Sequence, residues 1–220
     1  MKLLLTSGGL TNKSIANALF SLVGKKPKDT VIAFVPTSAD VDAEDKGWLV
    51  NDLHNLTKQG LKRLDIVDIA ALPKKIWLPR LKAADVLFFS GGNTLHLMFW
   101  LEKSGLKKLL PDLLKTRVYA GISAGSIVTA PTLELSNKDK RIHYEKRFGY
   151  RANKALGYVN FHIRPHLNSP HFPLLRKKYL EGIAEQIREP IYALDDRSAL
   201  KVTGKKVRIV GEGKYLVFNK

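Results

Sequence analysis

The sequence contains no cysteine. That absence excludes disulfides, thiolate metal sites and any cysteine nucleophile. Serine is then the leading candidate if the chain does covalent catalysis. Long apolar runs are also missing, since none approaches the ~18 residues needed to span a bilayer. The opening Met-Lys-Leu-Leu-Leu-Thr-Ser-Gly-Gly has too short an apolar run for a secretory signal and reads as a buried first strand, so the expectation is a cytoplasmic protein without a membrane partner. Acidic residues are scarce: 20 Asp+Glu stand against 37 Lys+Arg, a formal charge of +17. Such a balance suits nucleic acid, anionic membranes or acidic substrates. The lysines are spread along the chain between apolar residues, as on solvated faces. No DNA- or RNA-binding motif accompanies them, which argues against nucleic acid as the partner.

With 220 residues, 45% apolar and 26% charged, the chain has the composition of an ordinary globular protein and enough length to bury a sizeable core. Residues 1–220 are expected to form one α/β domain, with monomer and homodimer both open. Lys2–Thr6 reads as a strand and Asn12–Val23 as a helix closed by Gly24. Thr30–Val35 is a continuous β-branched and aromatic run, as in a parallel strand covered on both faces. Trp48–Lys58 reads as helix, Arg63–Ile69 as strand, Ile76–Ala83 as a short helix or turn, and Asp85–Phe89 as strand. A helix to about Ser104, a second piece over Leu106–Lys115 and a strand over Val118–Gly121 follow. Beyond Ala130, the basic stretch Lys138–Lys154 reads as an exposed loop or hairpin. Gly157–Ile163 alternates like a strand, Phe172–Arg188 reads as an amphipathic helix, and Ile191–Leu194 as a strand. The tail, Ala199–Val202, Lys206–Val210 and Lys214–Phe218, predicts an antiparallel meander. The β-α alternation predicts a doubly wound, largely parallel sheet of the flavodoxin type, with its site at the carboxyl ends of the strands.

The most informative stretch is Tyr119-Ala-Gly-Ile-Ser-Ala-Gly-Ser126. It reads Gly121-x-Ser123-x-Gly125, a strand running into a tight turn and a helix. This arrangement raises the serine hydroxyl at the tip, aims backbone N–H groups at the same spot, and leaves room for a substrate. A second Gly-rich strand end, Ser90-Gly91-Gly92-Asn93-Thr94, is placed to meet it over one crevice. A serine nucleophile needs a base and the base needs an orienting group. Of the six histidines, His54 and His96 fall in helices, His143 in the basic stretch, His162 within a strand and His171 in a loop opening a helix. His166 stands just after a strand end and a proline. Asp195 and Asp196 follow the next strand. The order Ser123…His166…Asp196 therefore draws on three strand ends. The alternative order through Asp139 ranks lower, because Asp139 lies in the basic stretch.

Ser90-Gly-Gly-Asn-Thr-Leu, Gly-Ile-Ser123-Ala-Gly-Ser, Arg-Pro-His166 and Ala-Leu-Asp-Asp196 together resemble the motifs of the peptidase E family, the serine aspartyl dipeptidases of group S51. The resemblance spans nearly the whole chain. It implies a fold related to the class I glutamine amidotransferases and no metal or cofactor. It also implies a small peptide substrate, a dipeptide with N-terminal aspartate. Under it, Ser123 would attack the peptide carbonyl, His166 would move the proton, and an acidic residue would hold the imidazole. In the family's best-known dipeptidases that residue is a glutamate; here Asp196 matches, with Asp195 its rival. The oxyanion hole would use the N–H groups of Gly91 or Gly92 and of Ala124, with Asn93 and Thr94 beside the substrate. An aspartyl side chain needs a cation. Arg176 is the first candidate, with Arg164 and Lys146 behind it. The alternatives are an esterase or amidase with the same triad, a cyanophycinase-like hydrolase, whose cationic substrate a +17 surface would repel, and a non-catalytic polyanion binder.

Overall fold

Val31–Val35 (Val-Ile-Ala-Phe-Val) is buried at all five positions. A strand apolar on both faces requires cover on both sides, and this requirement shapes the chain. The computed structural model describes residues 1–220. In chain order it contains β1 (Lys2–Thr6), α1 (Lys13–Val23), β2 (Val31–Val35), α2 (Gly47–Thr57), β3 (Arg63–Ile66), α3 (Lys74–Ala83), β4 (Val86–Phe89), α4 (Thr94–Lys103), α5 (Leu106–Leu113) and β5 (Val118–Ile122). The one-turn helix α6 (Ala124–Ile127) follows, then α7 (Lys138–Phe148), β6 (His162–Arg164), α8 (Lys177–Ala184), β7 (Ile191–Leu194), β8 (Ser198–Thr203), β9 (Lys206–Gly211) and β10 (Tyr215–Phe218).

Seven strands form one sheet in the order β3-β2-β4-β5-β1-β8-β9. The first five in chain order run parallel; β8 and β9 extend the sheet antiparallel beyond β1. Period-two alternation then divides the core. Leu3 and Leu5 enter the larger apolar cluster with α3, α4 and α5. Leu4 enters the smaller cluster with Ile15, Leu19, Phe34 and Ile122. Helices thus cover both faces, as the sequence predicts for a doubly wound sheet. A second, three-stranded sheet, β10-β7-β6, stands apart. In it β6 is parallel and β10 antiparallel to β7. No helix is long and apolar enough to cross a membrane.

The structure departs from the sequence reading after Ala130. Lys138–Phe148 is an α-helix, not an exposed loop or hairpin. Asn137 caps its start by accepting from the Lys140 N–H, and Gly149 ends it in the left-handed region. Only Tyr144 of this helix is buried; one inward residue in eleven leaves no apolar periodicity to read. The helix expected over Phe172–Arg188 is only Lys177–Ala184, because residues 169–176 form a wrapped loop. The strand expected over 157–163 is reduced to His162–Arg164. The N–H groups of Tyr158 and Val159 turn away to the Thr129 carbonyl. Phe161, His162 and Ile163 are all buried, so the alternation does not mark one wet face. The antiparallel C-terminal strands are present but divided: β8 and β9 lie in the large sheet, while β10 crosses to β7.

Candidate active site

Ser123 sits between β5 and α6 with φ 44° and ψ −101°. A serine in this region of backbone space is strained, and the surroundings hold it there. Its N–H donates to the Thr6 carbonyl of β1 at 3.1 Å, and its own carbonyl accepts from Ser126 and Ile127. The flanking glycines are steric requirements. A Cβ on Gly121 would lie 2.5 Å from the Gly125 carbonyl carbon, and one on Gly125 would overlap the Phe89 carbonyl. Strand and turn can approach this closely only without side chains.

Three strand ends converge on that hydroxyl. His166 follows β6 and Pro165, itself at φ 66°. Its Nε2 lies 2.9 Å from Ser123 Oγ. Its Nδ1 lies 2.6 Å from Asp196 Oδ1. Asp195, the rival carboxylate, points elsewhere: it accepts from the Arg197 and Lys214 N–H groups and from the Ser198 hydroxyl, closing the turn between β7 and β8. Geometry thus separates two neighbours that the sequence left open. Burial alone would raise the Asp196 carboxyl. The His166 ring, the Ser7 hydroxyl and the charge of His171 outweigh it and hold Asp196 below the usual carboxylate value.

Ser7 is a member of this site that sequence reasoning missed. Its hydroxyl donates to Asp196 Oδ1 at 2.7 Å and accepts the His166 N–H at 2.8 Å. The following Gly8 passes so close to Asp196 that a Cβ would lie 2.8 Å from its carbonyl oxygen. The signal was present: Ser7-Gly8-Gly9 is a third Gly-rich polar strand end. Phe172 was also missed, and its ring stacks on the His166 imidazole with centroids 4.4 Å apart. Trp48, on α2, is the third. Its ring edge and Ser123 Cβ each lie 3.6 Å from where a Gly91 Cβ would be.

The Gly91–Gly92 loop is beside Ser123, as expected. Gly92, at φ 121°, presses against the Ser38 carbonyl where no Cβ would fit. The N–H groups of Gly91, Gly92 and Ala124 have no backbone carbonyl partner. Asn93 and Thr94 play another part. The Asn93 side-chain oxygen caps α4, accepting from the Leu95 and His96 N–H groups at 3.1 Å, and its amide faces Asp42; Thr94 is buried. Arg176 precedes α8 rather than lying on it, and its guanidinium donates to the Ser169, Phe172 and Leu175 carbonyls of its own loop. It braces the segment that carries Phe172. Arg164 is largely buried and donates to the Leu135 carbonyl at 2.8 Å, while Lys146 is exposed on α7. His96 is enclosed between Tyr144 and Asp40, and its role is to dock α7 on α4.

Two hollows bear on the choice of site. The larger, of about 450 Å³, is lined by Leu167, Asn168, Lys177, Lys214, Tyr215 and Leu216. No member of the serine–histidine–aspartate relay is in its wall, so its size does not make it the reacting centre. The smaller abuts the Gly92–Leu95 turn, with Lys140 and Arg141 opposite.

Comparison with known proteins gives a consistent picture. The model of the family described as peptidase family S51 matches residues 3–210. A protein of Streptomyces coelicolor named peptidase E is 28% identical over 199 residues, covering 87% of this chain and 79% of that one. A Listeria monocytogenes protein named uncharacterized peptidase Lmo0363 is 26% identical over 195 residues, covering 86% of this chain and 90% of its own. Among solved structures, a Listeria monocytogenes protein with a provisional peptidase E name superposes with TM-score 0.78 at 24% identity over 96% of this chain and 98% of that one. A peptidase from an acI-B1 actinobacterium gives 0.71 at 20% identity over 99% of this chain and 90% of its own. Those likenesses bear on the fold. The family match, over almost the whole length, carries more: the chain belongs to peptidase family S51.

Proposed function

We propose that this S51 peptidase is a serine exopeptidase that hydrolyses dipeptides, with N-terminal aspartate as the preferred residue. The observation that carries the reading is the unbroken relay from Ser123 Oγ to His166 Nε2 at 2.9 Å and from His166 Nδ1 to Asp196 Oδ1 at 2.6 Å. Ser123 attacks the peptide carbonyl while His166 takes its proton. His166 then returns the proton to the leaving amine, and a water completes the second half by the same route. Asp196 fixes the ring with Nδ1 protonated and stabilises the imidazolium as it forms. The free N–H groups of Gly91 or Gly92 and of Ala124 receive the developing oxyanion. The triad chemistry uses no metal or cofactor.

The acidic preference is supported by charge. The chain carries +17, and α7 places Lys140 and Arg141 across from the Gly92–Leu95 turn. All three candidate cations already have partners: Lys140 pairs with Asp42 and Glu44, Arg141 donates to the Leu133 carbonyl and Asn153 Oδ1, and Arg176 donates to loop carbonyls. The acidic preference therefore rests on the net charge. The test is hydrolysis of Asp-X, Glu-X, Asn-X and Ala-X dipeptides at low salt, wild type beside Ser123→Ala. Release of aspartate by wild type alone is expected. Turnover of esters but of no dipeptide would overturn the exopeptidase reading in favour of an esterase with the same triad.

A further inference from the structure

Asp52 is a carboxyl group out of place. It lies on α2, whose inward face is otherwise apolar, and it is 8% exposed. Buried carboxylates ordinarily find a cation or several N–H donors. Nothing in the chain supplies either one: no hydrogen bond and no cation acts on Asp52, and the one charge that does is the like charge of Asp196. Burial first, and then Asp196, push the carboxyl up to about 7.

Its position is as informative as its isolation. Asp52 Oδ1 lies 3.3 Å from where a Gly9 Cβ would be, and Ile122 Cδ1, from the residue before Ser123, is 3.2 Å from the same point. The Ser7–Gly9 turn therefore has the relay on one side, through Ser7 and Gly8, and Asp52 on the other. Trp48 stands four residues before Asp52, on the same face of α2. It reaches the point beside Gly91 that Ser123 Cβ also reaches. Helix α2 thus presents an aromatic ring and an unpaired carboxyl along the wall next to the nucleophile and the oxyanion loop. A carboxyl kept partnerless in such a wall is complementary to a ligand cation, and a peptide substrate brings one at its free N-terminus.

We propose that Asp52 receives the α-ammonium group of the substrate's N-terminal residue, with Trp48 walling the same subsite. The assignment rests on the peptidase reading above and adds to it the element that selects free N-termini. Docking of the ammonium group supplies the missing partner, so Asp52 binds as the carboxylate and its proton leaves to solvent when substrate enters. A blocked or missing amine forfeits that contact and leaves Asp52 buried without a partner, an effect of about tenfold or more in rate.

The test measures labelling of Ser123 by a diphenyl 1-aminoalkylphosphonate and by its N-acetyl counterpart, with intact mass as the readout. Attack by Ser123 Oγ forms the serine O–P bond and breaks the P–OPh bond; His166 takes the serine proton and passes it to the departing phenolate, which leaves as phenol. Wild type is expected to react with the free-amine reagent at least about tenfold faster. In Asp52→Asn, nearly isosteric, the ratio of the two rates is expected to fall toward one. Equal rates in wild type overturn the proposal without recourse to any variant. A ratio unchanged in Asp52→Asn, even with both rates lowered, also overturns it by reducing Asp52 to a structural role. No labelling of wild type by either reagent refutes the peptidase reading itself, and the assignment with it.

Discussion

Asp52→Asn is expected to make this protein more stable above neutral pH while impairing its function. Folding raises the Asp52 carboxyl from an ordinary 3.8 to about 7. Between those values the folded chain holds a proton that the unfolded chain has released, so stability falls as pH rises through the window and stays lowered above it. A shift of about 3 units corresponds to roughly 4 kcal/mol at full ionisation. The amide of the variant does not titrate, and the cost of its additional N–H donor is the same at every pH. The stability gap between variant and wild type should therefore widen by roughly 3 kcal/mol from near pH 5 to near pH 8. For a chain of this size that is a change of about 6–12 °C in the difference of melting temperatures. Thermal melts of both proteins at the two pH values read it directly. Comparing gaps cancels every titrating group that does not interact with Asp52. A gap constant to within about 1 kcal/mol would refute the claim that Asp52 is buried without a partner.

Other perturbations follow from the same geometry. Ser7→Ala removes a hydroxyl that bonds both Asp196 and the His166 N–H; kcat on the best dipeptide should fall about tenfold with KM little changed, and a full kcat would show that Ser7 positions nothing. Asp196→Asn should lower kcat on the order of a thousandfold or more while the fold survives. Asp195→Asn should cost thermal stability and leave kcat within about twofold, since Asp195 serves the β7–β8 turn; the reverse ranking of the two variants would reassign the orienting carboxylate. Gly125→Ala drives a methyl into the Phe89 carbonyl and should destabilise by about 3 kcal/mol or more in a denaturant titration; an unchanged midpoint would mean the turn relaxes freely.

Much of this protein was legible because local rules and the global fold agree. The parallel strands Val31–Val35 and Val86–Phe89 are apolar at every position or nearly so, which only a doubly covered sheet accommodates. Caps marked the helix ends: Gly24 closes α1 as the sequence implies, and Asn12, read as its first residue, is its N-cap. Gly121-x-Ser123-x-Gly125 identified its turn because the packing there tolerates no other residue than glycine at the two ends. Where such constraints weaken, legibility ends. Helix α7 carries Asn137 and Gly149 as caps, yet with Tyr144 as its one buried residue it offers no periodic stripe. Residues 172–176 read as the start of an amphipathic helix, but Phe172 is drawn to the His166 ring and Arg176 to loop carbonyls.

The sequence by itself determined the chemistry available, namely a serine at a strand–helix turn with no cysteine to compete, and the alternation that makes a parallel sheet. It also confined the partners of that serine to polar residues at strand ends, because backbone spacing along a strand and the handedness of its crossovers are local properties. Only the tertiary structure decided between Asp195 and Asp196 and brought Ser7 between His166 and Asp196. Only the tertiary structure placed Asp52 in the wall beside Ser123. Those outcomes depend on which loop ends meet across the sheet and on which donors are already committed. The contacts of the relay are not encoded within any window of the chain, because His166 is 30 residues from Asp196, 43 from Ser123 and 159 from Ser7, and they are joined only when the sheet closes.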